Sequence, residues 1–336
     1  MINHFYKNNV AGFLLMLGML LAFPGIMLAQ SISCGDVVTL DVTLTADLDC
    51  SSGGTALTVG ANNITIDGAG FTITVNGNNA GIDLTNHSFV TIKNVTVVSN
   101  TAGQGRGIYI NGSNDCTVES NTISGLFNAV YVSGTGYRNT LFNNNMSGST
   151  NNAFESHYLA NSLDWVIKDN NMTGGSFYAM NYLGRLSELS GNDFSNSNRG
   201  VSLSNGNHVV SPLVLTWQGS TGPNKNIFGG HTSDPLTLNN MYWVNVSGWD
   251  MSSLFTATAT TKRGLILNAV RDSYFGDNDL SGLFNAVYVS GTGYRNTLFN
   301  NNMSGSTNNA FESHYLANSL DWVIKDNNMT GGSFYA

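Results

Sequence analysis

Apolar and polar residues alternate along this chain in short runs, and almost every run ends in Asn, Gly, Ser or Asp. Arg106-Gly-Ile-Tyr-Ile, Asn128-Ala-Val-Tyr-Val, Asn152-Ala-Phe-Glu-Ser and Arg199-Gly-Val-Ser-Leu share one plan, in which a small residue is followed by apolar and polar side chains in turn. A second alternating run follows, such as Cys116-Thr-Val-Glu, and then Asn, any residue, an apolar residue and Gly or Asn. A period of two marks strands with one buried face. The closing Asn recurs at Asn121, Asn144, Asn170, Asn192, Asn226, Asn278, Asn301 and Asn327, mostly in steps of 22 to 28 residues. The 34-residue step from Asn192 to Asn226 is read as a looped-out insertion around Gly219 to Lys225.

Repeats of this length with strands this short exclude two-helix repeats, and no Leu-x-x-Leu-x-Leu pattern supports a leucine-rich horseshoe. The expected fold is therefore all-β, a solenoid of about 12 coils in which each strand pairs with its equivalent one coil away. Like residues then stack on like, and an inward Asn can bond the Asn of the next coil through its side-chain amide. A longer repeat overlies the short one, because residues 124–179 recur unchanged as residues 281–336, an offset of 157. Such identity marks a recent duplication or an assembly error.

Composition fits this picture. The 336 residues are 41% hydrophobic but only 10% charged, so Asn, Gly, Ser and Thr, which favour turns, carry the surface. The formal charge of −8 argues against nucleic acid as a partner. At the N-terminus Lys7 precedes an apolar run from Val10 to Ala29, which reads as a signal peptide over residues 1–29. The rival reading is a membrane anchor, but Pro24 and Gly25 favour cleavage. No membrane span is expected after cleavage, leaving a domain over residues 30–336 and a secreted, cell-surface or periplasmic location. Export would place Cys34 and Cys50, sixteen positions apart, where they can form a disulfide, with Cys116 as a buried, inert thiol.

The Asn-x-apolar-x-Gly ending, the Gly-Ile-x-Ile opening and the segment from Cys34 through Leu48-Asp-Cys50 to Asn63-Ile-Thr-Ile-Asp-Gly-Ala-Gly-Phe-Thr-Ile resemble the pectin-lyase-like, NosD-like right-handed parallel β-helix proteins. The resemblance covers nearly all of residues 34–336 and implies the handedness of the coil. It implies little about function, since that superfamily holds lyases, hydrolases, epimerases and adhesins.

If Ile108 and Ile110 point inward, alternation sends Tyr109, Tyr131 and Glu155 outward in one column on successive coils, with His157 beside them. The duplicate holds Tyr288, Glu312 and His314, preceded by Ile266. Rings, a carboxylate and an imidazole on one rigid face suit a sugar chain, so an extracellular polysaccharide is the expected partner. Counting back six residues from the ladder Asn gives a second column, Asp115, Arg138 and Asp164, repeated as Asp272, Arg295 and Asp321. Opposite charges there are expected to alternate as an ion ladder, each exposed pair contributing about 0 to 1 kcal/mol.

No catalytic residue is assigned. In this register Glu155 has no acid directly above or below it, whereas glycoside hydrolysis needs two carboxyl groups about 5 to 9.5 Å apart. The Asp-Asp, Asn-Thr-Asp and Gly-His-Gly motifs of polygalacturonase-like relatives are absent from the sequence, as are paired Arg residues like those of pectate lyases. The leading expectation is a structural or carbohydrate-binding solenoid. The alternative is a polysaccharide lyase or glycoside hydrolase whose catalytic groups come from loops that the register does not place, notably the insertion between Asn192 and Asn226. No metal and no cofactor are expected, because the histidines are scattered and Met146, Met172, Met303 and Met329 fill the apolar slot after the ladder Asn. Ala336 matches Ala179, where the first copy runs on, so the chain is expected to stop inside a coil, as a C-terminal truncation would leave it.

Overall fold

The computed structural model describes residues 31–157, 162–208, 211–219, 225–255, 262–314 and 320–335. These residues wind as a right-handed parallel β-helix. One face is a continuous sheet of 13 parallel strands, from Asp36–Val38 at one edge to Ser333–Tyr335 at the other. A second face begins as a sheet of seven strands ending at Leu186–Ser190 and resumes as five strands starting at Leu213–Leu215. A third face has four strands up to Thr122–Ile123 and continues as single bridges, Thr122 to Asn145, Asn171, Asp193 and Ile227.

Register explains why the alternation is so regular. Ile82, Ile108, Val130, Phe154, Met180, Val201, Leu236, Leu265, Val287 and Phe311 follow one another as direct partners down the first sheet. All are buried in one core cluster. A slip of one residue would turn that whole column to solvent, so burial fixes the register. The opening glycine has a steric reason as well. A Cβ on Gly107 would lie 2.0 Å from Ile123 Cγ2 and 2.5 Å from the Ala129 carbonyl, so no larger residue fits where the first and third faces meet.

Corners are made by residues with positive φ. Asp115, Arg138 and Asp164 turn the chain into the second face, with φ of 55°, 53° and 66°. Ser120, Asn143 and Asp169 turn it out again, with φ of 56°, 54° and 55°. The left-handed region is mildly strained for these residue types, and Asn and Asp enter it most easily because their short polar side chains bond locally.

Immediately inside the second corner runs the expected asparagine ladder. The backbone N–H and the side-chain amide of Asn121 both donate to Asn144 Oδ1, at 3.1 and 3.0 Å. Asn144 donates in the same way to Asn170, Asn170 to Asn192, and Asn192 to Asn226. The ladder lapses for one coil at Trp249, whose backbone N–H donates to Asn278 Oδ1 at 3.0 Å while its ring packs on Phe228 with centroids 4.7 Å apart. That coil accounts for the long step from Asn226 to Asn278. From Asn278 the pairing resumes through Asn301 to Asn327.

Cys34 and Cys50 are joined by a disulfide with their Cα atoms 5.4 Å apart. Residues 1–29 and most of the insertion expected around Gly219 to Lys225 lie outside the described residues. Among the described residues no helix is long and apolar enough to cross a membrane.

Candidate functional site

The outward columns of the first sheet come together as alternation requires. Tyr109 is the direct partner of Tyr131, Tyr131 of Glu155, and Ser133 of His157. The rings of Tyr109 and Tyr131 lie 5.9 Å apart at 12°, and His157 stacks on Tyr131 at 6.3 Å. The tyrosines therefore cover part of each other's faces, and a ligand meets a column of ring edges more than free ring planes. Glu155 Oε2 accepts the amides of Asn128 at 2.8 Å and Asn151 at 3.0 Å, so its carboxylate is held by neutral donors and carries its charge outward.

Arginines complete this face, and the periodicity had not brought them forward. The guanidinium of Arg106 sits 4.3 Å from the centre of the Tyr131 ring and 5.7 Å from that of Tyr109. Its Nε is buried without a hydrogen-bond partner. Arg199 sits in the same manner over Phe177 at 4.7 Å and Tyr178 at 5.3 Å. Neither arginine has a carboxylate partner among the described residues. Two exposed rings, Phe127 and Phe177, flank the sheet on the same side. A shallow cavity of about 320 Å³ opens there between Asn78, Gly105, Arg106 and Phe127.

The duplicate presents the same groups near the other end of the sheet. Tyr288 is the direct partner of Glu312, and Ser290 of His314. Arg263 lies 4.3 Å over Tyr288, and Tyr288 and His314 are 5.5 Å apart. Glu312 accepts from Asn285 and Asn309 and is in direct contact with His314. Burial raises the pKa of Glu312, but the bonds from His314, Asn309 and Asn285 outweigh it and hold the carboxyl below its ordinary value. Ile266 stands where the first copy has Tyr109.

The expected ion column pairs differently from a simple alternation. Arg138 grips Asp115 with two bonds, 2.6 and 2.7 Å, and Arg295 grips Asp272 likewise at 2.6 and 2.8 Å. Asp164, expected to continue the ladder from Arg138, is bonded instead by Arg185 at 2.9 and 2.8 Å. The register shift between Trp165 and Val166 accounts for this, because it moves the next coil by one residue and brings Arg185 to the corner. Asp321 has no ion pair among the described residues, although its charge is felt by Arg295.

The same corner opens into a cavity of about 570 Å³, where the second face lapses between Leu186–Ser190 and Leu213–Leu215. Asp164, Arg185, Glu188 and His208 line it, together with Ser211, Pro212 and Val214. Lys168 lies 3.4 Å from Glu188. His208 is buried, its Nε2 has no hydrogen-bond partner, and burial with the nearby Arg185 lowers its pKa to about 4. Ser211, Pro212 and Val214 belong to the stretch that leads into and forms the strand Leu213–Leu215. Alternation could not place Arg185, Glu188 and His208 together, because they meet only where the pairing fails.

Cys116 is buried, and burial raises its thiol pKa, which leaves it a poor nucleophile. Among the described residues no three His, Cys, Asp or Glu side chains gather as a metal site. Met146, Met172 and Met303 are wholly buried in the core.

Residues 48–211 match the family model described as periplasmic copper-binding protein (NosD). Among the described residues the donor set does not fit copper, since Met146, Met172 and Met303 are packed away in the core and the imidazoles are not clustered. No curated protein sequence matches the chain. Among solved structures, the A-module of mannuronan C-5 epimerase AlgE4 from Azotobacter vinelandii is 12% identical, with a TM-score of 0.47, covering 89% of this chain and 91% of that one. The C387A mutant of DFA-IIIase from Arthrobacter chlorophenolicus A6, in complex with DFA-III, is also 12% identical, with a TM-score of 0.43 over 77% and 72% of the two chains. PfbA, a surface adhesin of Streptococcus pneumoniae, is 10% identical, with a TM-score of 0.37 over 83% and 74%. With its unbroken parallel first sheet and its asparagine ladder, the chain is a right-handed parallel β-helix repeat protein that is similar to the NosD family over residues 48–211.

Proposed function

We propose that this solenoid is a binding module outside the cytoplasm, and that its first sheet takes up an acidic polysaccharide. The observation that carries the reading is Arg106 on the ring of Tyr131, beside Glu155 and His157, with no carboxylate partner among the described residues. On a chain of net charge −8, an unneutralised guanidinium held over a ring can still bond a carboxylate in two places. The tyrosine edges and the amides of Asn128 and Asn151 offer hydrogen bonds to hydroxyls. Affinity electrophoresis or calorimetry with polygalacturonate and alginate, against neutral dextran, tests this. The acidic polymers should bind, more weakly as salt rises, and Arg106→Ala should weaken binding at least tenfold, the effect of losing one charge-assisted hydrogen bond. Equal affinity for dextran would reject the reading.

A second reading rests on the cleft at the break in the second face, where Asp164, Glu188 and His208 meet. On that reading the chain cleaves or epimerises a sugar polymer there. Turnover of either acidic polymer that is lost in Glu188→Gln and kept in Arg106→Ala would establish it in place of the binding module.

A further inference from the structure

The groups gathered at Arg106 recur at one offset through the chain. Arg106, Phe127, Tyr131, Glu155 and His157 correspond to Arg263, Phe284, Tyr288, Glu312 and His314, each 157 residues later. Arg106 and Arg263 lie outside the identical 124–179 and 281–336 segments, in flanks that read Arg-Gly-Ile-Tyr-Ile-Asn and Arg-Gly-Leu-Ile-Leu-Asn. The arginine has thus kept its place, with the Gly after it and the Asn that closes the strand, where the three residues between them have changed. In both copies the guanidinium is 4.3 Å from the tyrosine ring. In both the carboxylate accepts the amide of the Asn that opens the preceding strand, Asn128 or Asn285. Phe127 and Phe284 are both exposed.

The fold puts the two sets on one face. The first sheet runs without a break from Asn128–Ser133 to Asn285–Ser290, and these strands are six places apart in its order. At about 4.8 Å per step the two sites stand about 29 Å apart along the axis. Arg199 over Phe177 and Tyr178 lies between them on the same sheet, a further cation without a carboxylate partner among the described residues.

We infer that the chain is a bivalent binder, with two like sites about 29 Å apart that one extended polyanion occupies together. This rests on the acidic-polysaccharide reading above and adds the number of sites and their spacing. The second site lacks the ring of Tyr109, having Ile266 instead, so it is the weaker of two sites of one chemistry. Linked binding makes the second contact intramolecular, and the gain over one site is about a hundredfold or more when the ligand spans both.

Calorimetry on the whole chain with size-graded galacturonate oligomers tests this. Oligomers well under 29 Å should bind with a stoichiometry of two per chain, and chains well over that span should bind one per chain, at least tenfold tighter, the lower end of a linked gain. Arg106→Ala or Arg263→Ala should each reduce the short-oligomer stoichiometry to one and abolish the gain with length. The length dependence of the unaltered chain requires no variant and so stands even if a substitution impairs folding. Short oligomers binding once per chain, or a length gain that survives either substitution, would overturn bivalency and leave the single-site reading intact. No binding of any oligomer would overturn both.

Discussion

Replacing Asn170 with Leu should lower the unfolding free energy by about 3 to 5 kcal/mol, within the range for breaking a buried polar network. Asn170 sits in the middle of the ladder, fully buried. Its Oδ1 accepts both the backbone N–H and the side-chain amide of Asn144, each at 3.0 Å, and its own amide donates to the carbonyls of Leu141 and Lys168 and to Asn192 Oδ1. Leucine is close in volume and would fill the space, so the loss would not come from a cavity. It would come from the Asn144 N–H, left in the core without its acceptor at about 1 to 3 kcal/mol, and from the lost side-chain bonds to Asn144 and Asn192, about 1 kcal/mol each. Asn170→Asp should be no better, because a carboxylate accepts but cannot donate and would bring charge into the interior. The contrasting substitution is Asn143→Gly, one residue before Asn144 on the outside of the same corner. Asn143 is exposed with φ of 54° and bonds the hydroxyl of Ser120 at 3.2 Å. Glycine adopts that backbone freely, and the change should stay under about 1 kcal/mol. Urea midpoints of the three variants decide the matter. Similar midpoints for Asn170→Leu and the unaltered chain would mean that stacking of the sheets alone holds the coils.

That difference between Asn143 and Asn170 also shows what the sequence makes legible. Inward and outward positions follow from alternation alone, and so the Tyr109, Tyr131 and Glu155 column could be written down with its register, as the pairing of these strands bears out. The ladder was legible because an Asn in a fixed place before an apolar residue serves one purpose in a stacked coil. Two things broke the counting. The register shift at Trp165 and Val166 moved one coil by a residue, so the count of six back from Asn192 falls on Leu186 and misses Arg185, the partner of Asp164. Trp249 fills a ladder slot without being Asn, hiding a coil in the step from Asn226 to Asn278. The cleft at Arg185, Glu188 and His208 was not legible, because it lies where the pairing of the second face lapses. Arg106 and Arg263 carried a signal in their shared offset, but a residue that opens a strand stands ahead of the alternating positions, and alternation assigns it no face.

Acid should weaken this fold well above the pH at which carboxylates titrate, and the cause would be two histidines. His208 and His231 are buried, and burial is the main reason that the pKa of each falls from 6.5 to about 4. At His208 the charge of Arg185 adds to the effect and Asp164 partly opposes it. At His231 a bond to the Ser197 carbonyl and the charge of Asp193 oppose it. The ring of His231 is placed as a neutral imidazole, with Nδ1 3.2 Å from the Ser197 carbonyl, to which it donates, and Nε2 accepting from the Gly229 N–H at 3.4 Å. A second proton on that ring would cost the Gly229 bond. With folded values below unfolded ones, the unfolded chain binds more protons between pH 6.5 and 4, so stability is complete above 6.5 and is lost as pH falls toward 4. A full shift is worth about 3 kcal/mol for each ring, and about 2 kcal/mol for each is already lost at pH 5. Melting followed by circular dichroism at pH 7.5, 6.0 and 5.0 should show a steady fall, and the double variant His208→Gln with His231→Gln should start lower and remain nearly flat over that range. An unchanged slope in the double variant would assign the acid response to the carboxylates instead, among them Glu312 and Asp67, which are held below their ordinary values in the folded chain.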